Sequence, residues 1–253
     1  SDGQHTLLAL TPDRYGRWDA GRPSSARASL RIALIGREAD HRLVYPATLG
    51  SLGDAAASLG LNLDVHVFAS VSLSAELHEL HLFQGVVLPG GSSMAAVNGQ
   101  IRVAEDTLNR GQPTLGLCLG MQSMMTAAVR RSPGFESAIP AEVAPHEALH
   151  SFVPFADGRH RCGVFPFSSG LIPGDVHEMH YNHRYCFNTD LLPALSPGGV
   201  SVSAQRDGIV EAVSQPELPF WHGVQGHPEL MSRPDAPHPL FVAFLKVALN
   251  APA

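Results

Sequence analysis

A cysteine enclosed by two glycines, directly after an apolar run, is the feature that most constrains how this chain folds. The apolar run is residues 113–115, and the stretch that follows it places Cys118 between Gly116 and Gly120. Glycine at both positions allows a tight turn from a strand into a helix, predicted over residues 121–129, because no Cβ blocks the close approach of the backbone. The helix N-terminus then favours a reactive thiolate. The alternative is an ordinary buried cysteine, since free cysteines are among the most buried residues.

A second stretch, GVQGHPE at residues 223–229, contains candidates for the groups that a cysteine nucleophile needs. His227 is suited to take the proton of the thiol and to give it to a leaving amine, because the pKa of histidine lies near neutrality. Glu229 can fix the tautomer of that imidazole if the chain turns at Pro228. The His-Pro-Glu sequence alone is common in loops, but together with Cys118 it predicts a Cys–His–Glu triad.

The two stretches together resemble the class I (triad-type) glutamine amidotransferases, and within that family the glutaminase domain of CTP synthase. LCLGMQ at residues 117–122 matches the nucleophile turn of that domain, and HRY at residues 183–185 matches the end of its His-Arg-His-Arg-Tyr segment. The resemblance covers roughly residues 29 to 250. It implies hydrolysis of the glutamine side-chain amide through a cysteine thioester, with release of ammonia.

A third stretch, VVLPGG at residues 86–91, resembles the oxyanion loop of that family. The thioester route passes through a tetrahedral oxyanion, which preplaced N–H groups must stabilise. The resemblance implies that these donors are the backbone N–H groups of Gly91 and Leu119. Taken alone, Pro-Gly-Gly is more often a plain turn.

The resemblance also implies three residues that bind the substrate. Arg184 falls where the family has an arginine for the α-carboxylate of glutamine, and a guanidinium is the natural bidentate partner of a carboxylate. Glu142 lies where the family has the acid that holds the α-ammonium, on the basis of its spacing from the nucleophile alone. Gln122 lies where a glutamine contacts the substrate. The alternative for Arg184 is a surface salt bridge.

The chain also departs from the family's pattern. Residues 92–98 replace a segment that carries a lid arginine, His180 and Asn182 replace two arginines, and Cys186 replaces a glutamate. No Gly-x-x-x-x-Gly-Lys-Ser/Thr run for binding nucleotide phosphates is present. We therefore expect that this polypeptide does not make CTP alone and that a separate ATP-dependent synthetase accepts its ammonia.

The pattern of apolar runs predicts an α/β fold. Strands alternating with helices imply a mostly parallel central sheet flanked by helices, the flavodoxin-like class I glutamine amidotransferase fold. Beyond about residue 150, glycine-, proline- and aromatic-rich segments predict a small antiparallel addition beside the main sheet. Residues 1–28 form an N-terminal extension, in which residues 7–10 are a candidate edge strand. Residues 29–250 form the amidotransferase-like domain.

Composition narrows the class of protein further. A formal net charge of −6 argues against binding to nucleic acid or to a membrane surface, and the three cysteines favour a reducing compartment, the cytoplasm. We expect no cofactor. His177, His180 and His183 recur at three-residue spacing, but without a cysteine or carboxylate partner they predict a satisfied loop cluster, with His183 near the substrate, rather than a metal site.

Two other functions stay open at this stage. The triad residues also allow an alternative, a free-standing hydrolase of γ-glutamyl amides or peptides, which delivers ammonia to no partner. A non-catalytic regulatory relative is the third possibility. The presence of Cys118, His227 and Glu229 together counts against it.

Overall fold

The fold is taken from a computed structural model that describes residues 26–69, 77–91, 96–170, 172 and 177–251, together with the backbone of residues 7–9. The described residues form twelve strands, which are β1 (Leu7–Ala9), β2 (Ser29–Ile35), β3 (Asn62–Phe68), β4 (Gly85–Leu88), β5 (Thr114–Leu117), β6 (Phe152–Pro154), β7 (Arg161–Phe167), β8 (His177–His183), β9 (Tyr185–Phe187), β10 (Ser201–Arg206), β11 (Ile209–Ser214) and β12 (Trp221–Val224).

Eight of these strands build the central sheet, in the order β1-β3-β2-β4-β5-β12-β11-β10. The five strands from β3 to β12 are parallel to their neighbours, whereas β1 at one edge, and β11 and β10 at the other, run antiparallel. Every residue of β4 and β5 is buried, as expected for parallel strands covered on both faces. The predicted mostly parallel α/β fold is confirmed.

Within the described part of the chain, four α-helices cover the sheet, and they are α1 (Ala47–Ser58), α2 (Val97–Arg110), α3 (Leu119–Arg130) and α4 (Pro239–Leu249). Helices α2 and α3 pack in the apolar core on one face, and α1 and α4 in the core on the other. Short turns of 3-10 helix lie at Leu77–Leu82, Thr189–Gly198 and Pro228–Leu230, and a π-helical turn at Asp40–Val44. No helix within the described ranges combines the length and apolarity needed to cross a bilayer.

The antiparallel addition differs in part from the prediction. Strands β10 and β11 do not pack beside the main sheet but continue it through β12. The strands β6 with β9, and β7 with β8, form two separate two-stranded sheets. Apolar content alone does not reveal whether a strand joins one sheet or starts another, since backbone pairing decides it.

The predicted histidine loop cluster is wrong, because the three histidines belong to strand β8. Along that strand Met179, Tyr181 and His183 are buried, so its side chains alternate between two faces. Residues three apart in a strand point to opposite faces. His180 therefore lies on the face opposite to His177 and His183, and the three rings do not form one cluster.

The N-terminal region is described only in part. The edge strand predicted at residues 7–10 is present as β1, which pairs antiparallel with β3. Residues 1–6 and 10–25 lie outside the described residues, as do residues 92–95 of the segment that departs from the family's pattern. The boundary between residues 28 and 29 stays a prediction.

Candidate active site

Cys118 occupies the sharp turn between β5 and α3. Its backbone angles are φ 48° and ψ −106°, a region that costs a non-glycine residue about 1–3 kcal/mol. Two backbone hydrogen bonds hold this conformation: the Cys118 N–H donates to the Val224 carbonyl (2.8 Å), and the Gln122 N–H donates to the Cys118 carbonyl (3.1 Å). The predicted strand–turn–helix is therefore present, with the thiol at the start of a helix and 8% of the residue exposed.

The glycines beside Cys118 are required by packing. A Cβ at Gly120 would lie 2.6 Å from the carbonyl carbon of Leu88 in the neighbouring strand. A Cβ at Gly116 would lie 2.9 Å from the backbone nitrogen of Met121. Because backbone atoms cannot move aside without shifting the turn, any larger residue at either position displaces the sulfur.

The register of two parallel strands brings the predicted base to the predicted nucleophile. β12 pairs in parallel with β5, with Val224 opposite Leu117, so both strands end at the same edge of the sheet. His227 follows three residues later, and its N–H donates to the His180 carbonyl of β8 (2.7 Å). The chain then turns at Pro228, which places Glu229 Oε1 2.7 Å from His227 Nδ1. All three residues of the predicted triad therefore meet at one edge of the sheet.

The surroundings of His227 favour its charged form. Burial alone would lower the pKa of His227, but the hydrogen bonds from its ring to Cys118 and Glu229, and the negative charges of both, raise that pKa to about 11. An imidazolium between a sulfur and a carboxylate can donate a proton to a leaving amine. Glu229 is mostly buried and also anchors this segment, since its carbonyl accepts from the Ser51 hydroxyl of α1 (3.2 Å).

A cavity of about 240 Å³ opens beside the sulfur of Cys118. Its wall contains six of the eight residues that the sequence singled out. The other two, His227 and Glu229, are not among the lining residues, but they connect to Cys118 through the hydrogen bonds of the His227 ring. The lining residues are Gly91, Cys118, Leu119, Gln122, Glu142, His160, Asn182, His183, Arg184 and Tyr185. The residues proposed from the family's pattern thus come from four separate stretches of sequence to one surface.

The loop at Gly90 and Gly91 lies against the Cys–His pair. A Cβ at Gly90 would lie 3.2 Å from His227 Cε1 and 3.4 Å from Cys118 Cβ, so the loop approaches closely because it lacks side chains there. Gly91 and Leu119, the two proposed oxyanion donors, both line the cavity beside Cys118. A second cavity of about 200 Å³ adjoins this one and shares the same two residues.

Two charged side chains stand at the exposed rim of the main cavity. Arg184 carries a guanidinium that, within the described part of the chain, has neither an ion pair nor a hydrogen-bond partner, and it is therefore free to bind an anion. Glu142 lies on the same cavity, where partial desolvation raises the pKa of its carboxyl above the ordinary value. One cation and one acid at the rim match the charges of an α-amino acid.

His183 lies in the wall of the cavity and carries a neutral ring. Burial lowers the pKa of His183 to about 4, and the neighbouring charges of Arg161 and His227 act in the same direction. Its Nδ1 atom donates to the Tyr185 carbonyl (2.8 Å), which fixes the ring beside the cavity.

Sequence reasoning missed several residues of this site. Gln225 lies within the stretch that contains His227, but the sequence pattern does not indicate a role for it. In the structure its side-chain amide donates to Cys118 Sγ (3.6 Å). His160 and Asn182 hydrogen-bond to each other (2.7 Å) at the mouth of the cavity. The pairing of β12 with β5 is the signal that identifies Gln225, because it sets this residue next to Cys118.

Comparison with solved structures agrees with this architecture. A structure titled as the glutaminase domain of Trypanosoma brucei CTPS with bound acivicin superposes with a TM-score of 0.80 at 24% identity, covering 88% of this chain and 95% of that one. A glutamine amidotransferase from Thermotoga maritima superposes with a TM-score of 0.52 at 15% identity, covering 87% of this chain and 96% of that one. At these identities the likeness concerns the fold.

Sequence comparison identifies the family. Relatives named CTP synthase from Nostoc punctiforme and Trichormus variabilis are 34% and 31% identical, over 87% and 89% of this chain. The chain spans only 44% and 45% of the length of those relatives. The model for glutamine amidotransferase class-I matches residues 49–247. This chain therefore belongs to the class-I glutamine amidotransferase family, with a domain similar to the glutaminase domain of CTP synthase.

Proposed function

We propose that the protein hydrolyses the side-chain amide of glutamine, with Cys118 as nucleophile, His227 as acid and base, and Glu229 as the group that orients His227. Membership of the family supports glutamine hydrolysis in general. The observation that supports the assignment of residues is the chain of hydrogen bonds from Cys118 through His227 to Glu229, in which Cys118 lines a cavity of about 240 Å³.

The proposed reaction proceeds in two halves. The Cys118 thiolate attacks the amide carbon, and the N–H groups of Gly91 and Leu119 stabilise the resulting oxyanion. The C–N bond breaks as the His227 imidazolium gives its proton to the nitrogen, which leaves as ammonia. The neutral imidazole then takes a proton from water, the hydroxyl attacks the thioester, and glutamate and the Cys118 thiolate are released. The free-enzyme imidazolium re-forms with that proton.

The rim of the cavity sets the proposed orientation of the substrate. Arg184 takes the α-carboxylate and Glu142 the α-ammonium, which leaves the side chain of glutamine to extend towards Cys118. Gln122, which is buried in the wall, contacts the substrate between these ends. The neutral His183 ring adds no charge that would compete with Arg184 for the carboxylate.

We further propose that the ammonia serves a separate ATP-dependent synthetase. Support comes from the relatives, which are named CTP synthase and are about twice as long as this chain. Ammonia is neutral and small in its unprotonated form, so it can leave through the adjoining cavity that begins at Gly91 and Leu119. The three free thiols fit a reducing compartment, and we place the protein in the cytoplasm on that basis.

Replacement of the nucleophile tests the reaction. Cys118→Ala should reduce glutamate and ammonia release to background, because no other group on the described wall of the cavity can form the thioester. Cys162→Ala is the matched control, since that thiol is exposed and lies outside the cavity, and it should retain full activity. Glutaminase activity in Cys118→Ala equal to that of the control would refute the proposal.

A second candidate is a hydrolase of γ-glutamyl amides or peptides. The adjoining cavity of about 200 Å³ supports it, because a leaving group larger than ammonia would need space on that side of Cys118. Turnover of γ-glutamyl amides compared with glutamine, without any partner protein, separates the two candidates. Faster hydrolysis of the larger amides would favour the second one, and a folded protein inactive on both, with and without a synthetase, would favour a regulatory role.

A further inference from the structure

We propose that Gln225 is a further catalytic residue, whose side-chain amide holds the sulfur of Cys118 and stabilises its thiolate. This inference rests on the proposed function, in which Cys118 is the nucleophile. The observation behind it is a hydrogen bond from Gln225 Nε2 to Cys118 Sγ at 3.6 Å, within the range of bonds to sulfur.

The position of Gln225 follows from the pairing of two strands. Val224 of β12 lies opposite Leu117 of β5. The residues that follow them, Gln225 and Cys118, are therefore neighbours where the two strands end. The backbone keeps them there, because the Cys118 N–H donates to the Val224 carbonyl (2.8 Å) and the Gln225 N–H donates to the Glu211 carbonyl (2.8 Å). A single strand end therefore delivers both Gln225 and, two residues later, His227.

The amide of Gln225 is buried and belongs to a chain of hydrogen bonds. Gln225 is 1% exposed, and its Oε1 accepts from Gln122 Nε2 (3.4 Å) while its Nε2 donates to the sulfur. A side chain tied at both ends cannot rotate away without leaving polar atoms unpaired in a buried place, which is costly. The amide is thus fixed with a donor towards Cys118.

The far end of this chain of amides is Gln122, which belongs to the wall of the cavity. Gln122 lines the cavity and is 4% exposed, and its Oε1 has no hydrogen-bond partner among the described residues. The oxygen is the hydrogen-bond acceptor of this amide, and in the proposed reaction it accepts from an N–H of the substrate. Gln225 therefore orients two groups, the sulfur by direct contact and Gln122 as an acceptor.

A donor on the sulfur acts twice in the proposed reaction. Before attack, it stabilises the thiolate together with the His227 imidazolium, which contacts the same sulfur. During hydrolysis of the thioester the sulfur leaves as a thiolate again, and the same N–H stabilises it. Loss of the donor should therefore lower kcat and leave KM less affected.

Alkylation of Cys118 by iodoacetamide, followed by mass spectrometry as a function of pH, tests the contact without turnover. Gln225→Met keeps the length of the side chain and removes the donor. We expect the midpoint of the pH–rate curve to rise by roughly one unit, so that alkylation at any pH below the midpoint is about tenfold slower. Gln225→Glu, which sets a negative charge against the sulfur, should raise the midpoint further.

Gln112→Met is the matched control. Gln112 is also buried, but it lies just before the start of β5, whereas Cys118 follows the end of that strand. Its side chain donates to the Leu80 and Phe83 carbonyls, so its loss should leave the pH dependence of Cys118 alkylation unchanged. Gln225→Asn, which is shorter by one methylene, replaces the methionine variant if near-ultraviolet circular dichroism shows that the latter does not fold.

The outcomes are separable. The inference is overturned if any folded Gln225 variant has an alkylation midpoint within about 0.2 pH units of wild type. It is also overturned if all three variants fail to fold, because Gln225 would then be required for packing. If wild type releases no ammonia from glutamine while the Gln225 variants still shift the alkylation profile, the proposed function fails and the contact of Gln225 with the sulfur stands.

Discussion

Replacing Glu229 by glutamine tests whether the charge of this carboxylate, rather than its shape, prepares His227. The side chains of His227 and Glu229 are 16% and 7% exposed, and Nδ1 and Oε1 are 2.7 Å apart. A hydrogen bond to a charged group contributes about 1.5–3 kcal/mol and a neutral one about 1 kcal/mol. If the glutamine keeps its oxygen towards Nδ1, the charge alone is lost, and kcat/KM for glutamine should fall about tenfold.

The loss is larger if the new amide turns its NH₂ group towards Nδ1. The imidazole is then forced into the tautomer whose proton faces Cys118, which cannot act as a base, and activity should fall by about 10⁴-fold. The expected loss of kcat/KM therefore lies between about 10-fold and about 10⁴-fold. An unchanged kcat/KM would contradict the role of the Glu229 charge.

The pH dependence gives a second readout, and its sign follows from the raised pKa of His227. In the folded protein this pKa is raised to about 11, against 6.5 for an unperturbed histidine, so the imidazolium persists through neutral pH and is lost as the pH rises towards 11. The stabilisation from this group is full below pH 6.5 and disappears as the pH rises from there towards 11. Without the charge of Glu229 the pKa falls, and the alkaline limb of activity should move to lower pH.

The assay is glutamate release across about pH 6–10, a range that spans most of the interval between the two pKa values, together with urea unfolding at both ends of that range. Glu178→Gln is the control, because Glu178 is an exposed carboxylate on β8 outside the triad. The free energy of unfolding of wild type should fall between the low and the high end of this pH range. It should fall less in Glu229→Gln, because His227 is stabilised less as an imidazolium in that variant. An alkaline limb in Glu229→Gln identical to that of the control would refute the reasoning.

Three further expectations concern other residues of the site and one buried ion pair of the fold. Arg184→Met should raise KM for glutamine about 10- to 100-fold with a smaller effect on kcat, measured by steady-state kinetics, since it removes the free guanidinium at the rim. Arg161→Met should destabilise the fold by about 3–5 kcal/mol in urea titrations, because it removes the buried ion-pair partner of the Glu211 carboxylate. Gly120→Ala should reduce kcat more than about 10-fold, and slow Cys118 alkylation, because the new Cβ collides with the Leu88 backbone. A wild-type KM, unfolding midpoint or kcat, respectively, would contradict the argument for each variant.

The sharp turn at Cys118 could be predicted from the sequence because the residues that specify it are close together in the chain. Two glycines and an apolar run specify a strand, a sharp turn and a helix, and the steric reason is visible at Gly116 and Gly120 in the folded chain. The alternation of buried strands with helices predicted the parallel sheet for a similar reason, since each element carries its own periodicity. The roles of the individual site residues remain predictions.

The elements that the sequence did not reveal depend on pairing between distant segments. The run from His177 to His183 has few apolar residues and reads as a loop, yet β7 pairs with it along its whole length and makes it a strand. Likewise, whether β10 and β11 join the main sheet is decided by the pairing of β11 with β12. Such pairings leave no signal in the composition of one segment.

Local sequence was sufficient to predict a cysteine at a tight turn, and a histidine and a glutamate after a later strand, since the residues that specify each feature lie close together in the chain. The folded structure was needed to learn that Val224 pairs with Leu117, and that this register sets Gln225 against the sulfur and carries His227 to it. Backbone hydrogen bonds between strands fix that register across the 107 positions that separate Cys118 from Gln225, and no local pattern of residues carries information over such a separation.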